Sequence, residues 1–90
     1  MTNFIENDKI VFYPNIDFEA TGKNIKKLRE NAGLSVQKLA NIFEFENVQV
    51  IYQWQKEKHL PSLENLFLLS CLFKKDINEI VLLKNKQQVS

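Results

Sequence analysis

Apolar residues along the chain follow two rhythms. Lys9-Ile10-Val11-Phe12-Tyr13 is a β-branched and aromatic run suited to a short strand or an extended arm. Pro14 prevents a helix from running through from before it. From Asp17 the period becomes helical. Phe18, Thr21, Ile25, Leu28 and Ala32 recur every three or four residues, which is one face of an amphipathic helix. Asp17 can cap its start and Gly33 can close it in the left-handed conformation. Gly22 weakens the first turn by about 1 kcal/mol against alanine.

Ser35 can cap a second helix with Val36, Leu39, Ala40 and Phe43 along its buried stripe. A break follows at Glu44-Phe45-Glu46, and Asn47 is the next N-cap candidate. The spacing predicts a third helix from Val48 to about Lys56, with Val48 or Val50, Ile51 and Trp54 turned inward. Pro61 marks a loop, and Ser62 can cap a fourth helix over Leu63–Phe73. Its broad apolar set of Leu63, Leu66, Phe67, Leu69, Ser70 and Phe73 is what a central helix requires. Asp76 and Glu79 resemble a capping box ahead of Ile77, Ile80, Val81 and Leu83. Five helices on short connections predict a compact all-α domain over residues 17–83. An N-terminal arm of residues 1–16 precedes it, and a polar tail of residues 84–90 follows.

Ninety residues leave room for one small domain, so little chain remains to build a large catalytic pocket. The single cysteine, Cys71, excludes a disulfide framework and any multi-cysteine metal cluster. Its place in the apolar run of the fourth helix reads as a buried, inert thiol. The lone His59 lies in a loop and reads as solvated. Neither residue has partners for a metal site or a nucleophilic dyad. Glu44 and Glu46 alone make no catalyst, and two glycines cannot supply a phosphate loop. The expectation is a non-enzyme without a cofactor. No apolar run approaches the roughly 18 residues of a membrane span. Glu6 and Asp8 stand where a signal peptide carries basic residues, so a cytoplasmic location is expected.

The segment Ser35-Val-Gln-Lys-Leu-Ala-Asn-Ile-Phe, a short turn, and Val48-Gln-Val-Ile-Tyr-Gln-Trp-Gln resembles the Cro- and lambda-repressor-like (XRE) helix-turn-helix family. Leu60-Pro-Ser-Leu-Glu-Asn-Leu-Phe-Leu-Leu-Ser is similar to the segment after that family's recognition helix. Asp76-Ile-Asn-Glu-Ile-Val resembles its fifth helix, and the likeness spans residues from about Thr21 to Leu82. The resemblance implies a five-helix lambda-repressor-like DNA-binding domain whose third helix enters the major groove of double-stranded DNA. A groove about 12 Å wide admits a helix, and amide side chains can pair bidentately with adenine edges. On that mapping Gln49, Tyr52, Gln53 and Lys56 face the base edges. Asn47, Gln37, Lys26, Lys27 and Lys38 are the candidates for phosphate contact. The implied function is a sequence-specific transcriptional regulator acting as a homodimer. Val81, Leu82 and Leu83, or the Phe12-Tyr13 arm, could supply its dimer surface. A strand in the arm would need a partner edge, the nearest being the same arm of another copy.

The chain departs from the family pattern at several positions. Glu44 stands where the turn usually holds glycine, and Trp54-Gln55-Lys56-Glu57 replaces Trp-Glu-x-Gly. The usual ion pair between the first and third helices becomes Arg29 with Gln55, a charge-assisted hydrogen bond. From Glu44 to His59 the side chains sum to −1, whereas Lys23, Lys26, Lys27 and Arg29 against Glu30 give a local +3 on the first helix. DNA binding draws on a basic face, so a second expectation keeps the fold and changes the ligand. In it, the helix-turn-helix is a protein-interaction module, an inhibitor or antitoxin-like partner, with little DNA binding.

Overall fold

A computed structural model describes residues 4–6, 9–12, 15–56 and 59–84. Strands β1 (Phe4–Glu6) and β2 (Lys9–Phe12) precede helices α1 (Phe18–Asn31), α2 (Val36–Phe43), α3 (Gln49–Lys56), α4 (Leu63–Phe73) and α5 (Ile77–Ile80). The two strands pair antiparallel in the register Phe4↔Phe12, Ile5↔Ile10 and Glu6↔Lys9, with an irregularity between Phe4 and Ile5. The strand of the arm therefore finds a partner edge within its own chain, where the nearest edge was expected on the same arm of another copy. Tyr13, Pro14 and residues 85–90 of the expected tail lie outside the described residues.

Local chemistry fixes where the helices begin. Asp17 accepts from the Ala20 N–H at 2.9 Å, Ser35 from the Lys38 N–H at 3.0 Å and Ser62 from the Asn65 N–H at 3.2 Å. Each satisfies a first-turn donor that has no partner within the helix. At α5 the Glu79 carboxylate reaches back to accept from the Asp76 N–H at 2.9 Å. Gly33 closes α1 at φ +74, the left-handed conformation that glycine adopts without strain.

Ile25, Leu39, Ala40, Ile51, Trp54, Leu66, Leu69 and Ile80 form the core, to which each Leu or Ile contributes about 1.5–3 kcal/mol. The Trp54 ring sits edge-on to Phe43 and Phe45, with centroids 5.6 and 5.8 Å away. On α1 the buried positions are Thr21, Gly22, Ile25 and Arg29, so the stripe is rotated from the predicted one and Ala32 is exposed. The α4 helix is not central. Leu63 and Phe67 are 65% and 57% exposed, and only Leu66 and Leu69 are buried. Cys71, expected inside, is exposed on the same helix. An apolar run tells how much of a helix could be buried, not which side finds a neighbour.

The two ends of the helical unit are tied together. The Asp17 N–H donates to the Leu82 carbonyl at 2.8 Å, and the Lys84 N–H to that of Asn15 at 2.7 Å. These bonds flank an isolated bridge between Ile16 and Leu83. Asn24 on α1 donates its amide to the carbonyls of Glu79 and Ile80 at 2.8 and 3.0 Å, capping the end of α5. Helix α1 is the hub: this polar side meets α5 and another side meets α3.

Candidate functional site

The turn from α2 to α3 sets the attitude of α3. Glu44 closes α2 at φ 62, ψ 34, a left-handed conformation that costs a non-glycine residue about 1–2 kcal/mol. The Phe45 N–H then donates to the Ala40 carbonyl at 2.9 Å, turning the chain back so that Phe45 packs beside Phe43 with ring centroids 5.2 Å apart. The chain keeps the geometry that glycine would give and bears the strain. Asn47 next uses its side-chain oxygen to accept from the Gln49 N–H at 2.9 Å. Helix α3 starts at Gln49, one residue later than the spacing predicts, with the Val48 carbonyl accepting from the N–H groups of Ile51 and Tyr52.

Ile51 and Trp54 anchor the inner face of α3 in the core, which leaves Gln49, Tyr52, Gln53 and Lys56 along the other side. These four residues line one open concavity of about 310 Å³. Lys56 holds its ammonium 5.8 Å from the centroid of the Tyr52 ring, a weak cation–π arrangement at an exposed site. The amides of Gln49 and Gln53, four residues apart, stack along one line of the helix. All four base-edge candidates thus share one surface.

The phosphate candidates are more dispersed. Asn47 is at the start of α3, with its side-chain oxygen already used there and its NH₂ group available. Gln37 is exposed on the first turn of α2 and donates its amide to Asn41 at 3.0 Å. Lys38 is exposed beside it. Lys26 faces α3, lining a second concavity of about 380 Å³ with Gly22, Lys23, Arg29, Val36, Tyr52, Gln55 and Lys56. Lys27 is exposed on α1 but lines neither concavity.

The junction between α1 and α3 holds features that spacing rules passed over. A Cβ on Gly22 would meet the carbonyl oxygens of Trp54 and Gln55 at 2.7 and 2.8 Å, so the two backbones touch there. The signal was its position on the buried face of α1, between Phe18 and Ile25. Arg29, only 7% exposed, donates to the Leu34 carbonyl at 2.8 Å and to the Gln55 side-chain oxygen at 3.3 Å. The expected Arg29–Gln55 pairing is therefore present, as a neutral acceptor against a charged donor. Among the described residues Arg29 forms its ion pair with Glu30, 3.8 Å away.

Among the described residues no cluster of three His, Cys, Asp or Glu side chains could hold a metal ion. No described helix is long and apolar enough to cross a membrane. A family model described as a helix-turn-helix matches residues 25–80, from the middle of α1 to the end of α5. No curated protein and no solved structure matches the chain.

Proposed function

The chain belongs to the XRE-type helix-turn-helix family, one of DNA-binding regulators, and on that premise we propose a sequence-specific transcriptional regulator that reads double-stranded DNA with α3. One observation carries the reading: Gln49, Tyr52, Gln53 and Lys56 line a single open surface on a helix whose other side is locked into the core. Two glutamine amides one turn apart can each pair bidentately with adenine, and Lys56 can donate to guanine. The Tyr52 ring offers an apolar edge to a thymine methyl. Asn47, Gln37, Lys26, Lys27 and Lys38 supply phosphate contacts around that face.

The working unit in this proposal is a homodimer. Ile16, Ile77, Asn78, Val81, Leu82 and Leu83 line an apolar concavity of about 640 Å³ beside the tied ends of the helical unit. Because α1 separates α5 from α3, a two-fold contact through that surface leaves both reading helices free for successive half-sites. The protein works in the cytoplasm, where DNA is within reach, and it performs no catalysis.

Replacing Gln49 and Gln53 together by alanine tests the reading. Each lost bidentate pair should weaken binding to a selected operator by about 1–3 kcal/mol and leave binding to random duplex nearly unchanged. Unchanged operator affinity in a fluorescence anisotropy titration would remove these residues from the reading role. A second reading, a protein-interaction module, draws support from the exposed Leu63 and Phe67 on α4. It predicts no salt-sensitive binding to any duplex.

A further inference from the structure

Helix α4 has an outward apolar face that no other described element covers. Leu66 and Leu69 turn into the core, and Phe73 packs against it. On the other side Leu63, Phe67 and Cys71, four residues apart, form one column along the helix, with Leu68 beside Phe67. All four are exposed, Leu63 at 65%, Phe67 at 57% and Leu68 at 38%. Together they keep on the order of 300 Å² of apolar surface in water, a cost that a docked partner would recover.

The charges framing this column have opposite signs at its two ends. Glu64 lies in the first turn, and Lys74 and Lys75 follow the last. Lys74 is fixed there by a left-handed cap at φ 58. The Lys75 backbone is tied to Ser70, whose carbonyl accepts the Lys75 N–H at 3.1 Å and whose hydroxyl donates to the Lys75 carbonyl at 2.5 Å. None of the three charged side chains makes an ion pair among the described residues. Their signs also suit the helix dipole, but that role leaves Leu63 and Phe67 in water.

A second copy of the same face, turned antiparallel about a two-fold axis, satisfies both features. Each Glu64 then meets Lys74 of the other copy, and the axis passes at the level of Leu69. In that register Phe67 lies against Cys71 of the other copy, and Leu63 against the aliphatic stem of Lys75. A parallel pairing would set like charges together, and a partner of uniform charge would suit only one end. We propose that the outward face of α4 docks a second copy of this chain in this antiparallel pairing, as a contact apart from the apolar surface beside α5. The proposal does not depend on DNA reading. The patch is well below the roughly 800 Å² per partner of a stable interface, so the contact is weak and forms where copies are concentrated. Where the α5 surface makes a dimer, the α4 contact joins one dimer to the next.

The test is cross-linking of Cys71 by a short bismaleimide, beside sedimentation equilibrium over about 10–1000 μM protein, the range that a small interface calls for. In the proposed pairing the two Cys71 positions are offset by about 6 Å along helices packed about 8–10 Å apart, within reach of the reagent. Wild type should give a cross-linked dimer whose yield rises with concentration. E64K alone and K74E/K75E alone should each weaken association by at least about tenfold, because like charges then face each other. An equimolar mixture of these two variants should cross-link again, since each then meets its opposite. F67S should abolish the cross-link, and at an exposed site it keeps the test open should a charge reversal unfold the helix. A thermal melt of each variant verifies folding. Wild type that stays monomeric at every concentration would overturn the proposal and leave the face to a different protein. Association that survives the charge reversals, with Cys71 not cross-linked, would place the contact elsewhere and overturn it too. Weakening in both variants without recovery on mixing would overturn the antiparallel pairing.

Discussion

Gly22→Ala is the substitution whose sign is most informative. An alanine in an ordinary helical position stabilises by about 1 kcal/mol over glycine. Here the added methyl would lie 2.7 Å from the Trp54 carbonyl oxygen and 2.8 Å from that of Gln55. Both are backbone atoms at the end of a helix anchored by Trp54, so neither can swing aside. Restoring ordinary contact requires α1 and α3 to part by about 0.7 Å at this point. The hydrogen bond from Arg29 to Gln55 crosses the same junction and is already long at 3.3 Å, so it would break. Overpacking costs about 1–3 kcal/mol, and a lost bond to a charged donor about 1.5–3 kcal/mol. These terms exceed the helix-propensity gain, and a net destabilisation of about 2 kcal/mol is expected. For a domain of this size the melting temperature should fall by on the order of 10 °C, read by circular dichroism. A variant as stable as wild type, or more so, would show that the two backbones do not touch.

The strain at Glu44 gives the opposite sign: Glu44→Gly should stabilise by about 1 kcal/mol in a urea titration, since φ 62 suits glycine. A loss would mean that the Glu44 side chain contributes more than the backbone strain removes. Asn24→Ala leaves the carbonyls of Glu79 and Ile80 without their amide donor and should cost about 1–2 kcal/mol. Equal stability would mean that water caps α5 as well. Cys71, being exposed, should react with a thiol reagent in the folded protein as fast as in denaturant. Protection in the folded state would return it to the core.

The order and type of the helices were legible because three of them begin at capping residues that the sequence marks: Asp17, Ser35 and Ser62 all accept the first-turn N–H that their positions predicted. The outward set on α3 was legible for the same reason, since Ile51 and Trp54 fix which side faces the core. Apart from the Arg29–Gln55 pairing, what escaped was set by a second element. The exposure of Leu63, Phe67 and Cys71 depends on what packs against α4, which its own composition does not contain. The closeness of α1 to α3, and with it the union of Lys23, Lys26 and Lys56, depends on a missing side chain at Gly22. Local rules score that residue as a weak helix former. The pairing of β2 with β1 was hidden because Phe4–Glu6, though built of an aromatic and a β-branched residue, is three residues long and too short to show a strand period.

The central claim is that α3 and its flanks bind duplex DNA, and the salt dependence of wild-type binding tests it most directly. Anisotropy of random and selected duplexes at about 50 and 200 mM salt should show affinity falling by orders of magnitude, the mark of released counterions at several phosphates. Affinity that is undetectable at 50 mM, or equal at both concentrations, would contradict it and leave the helix-turn-helix as a surface for another protein.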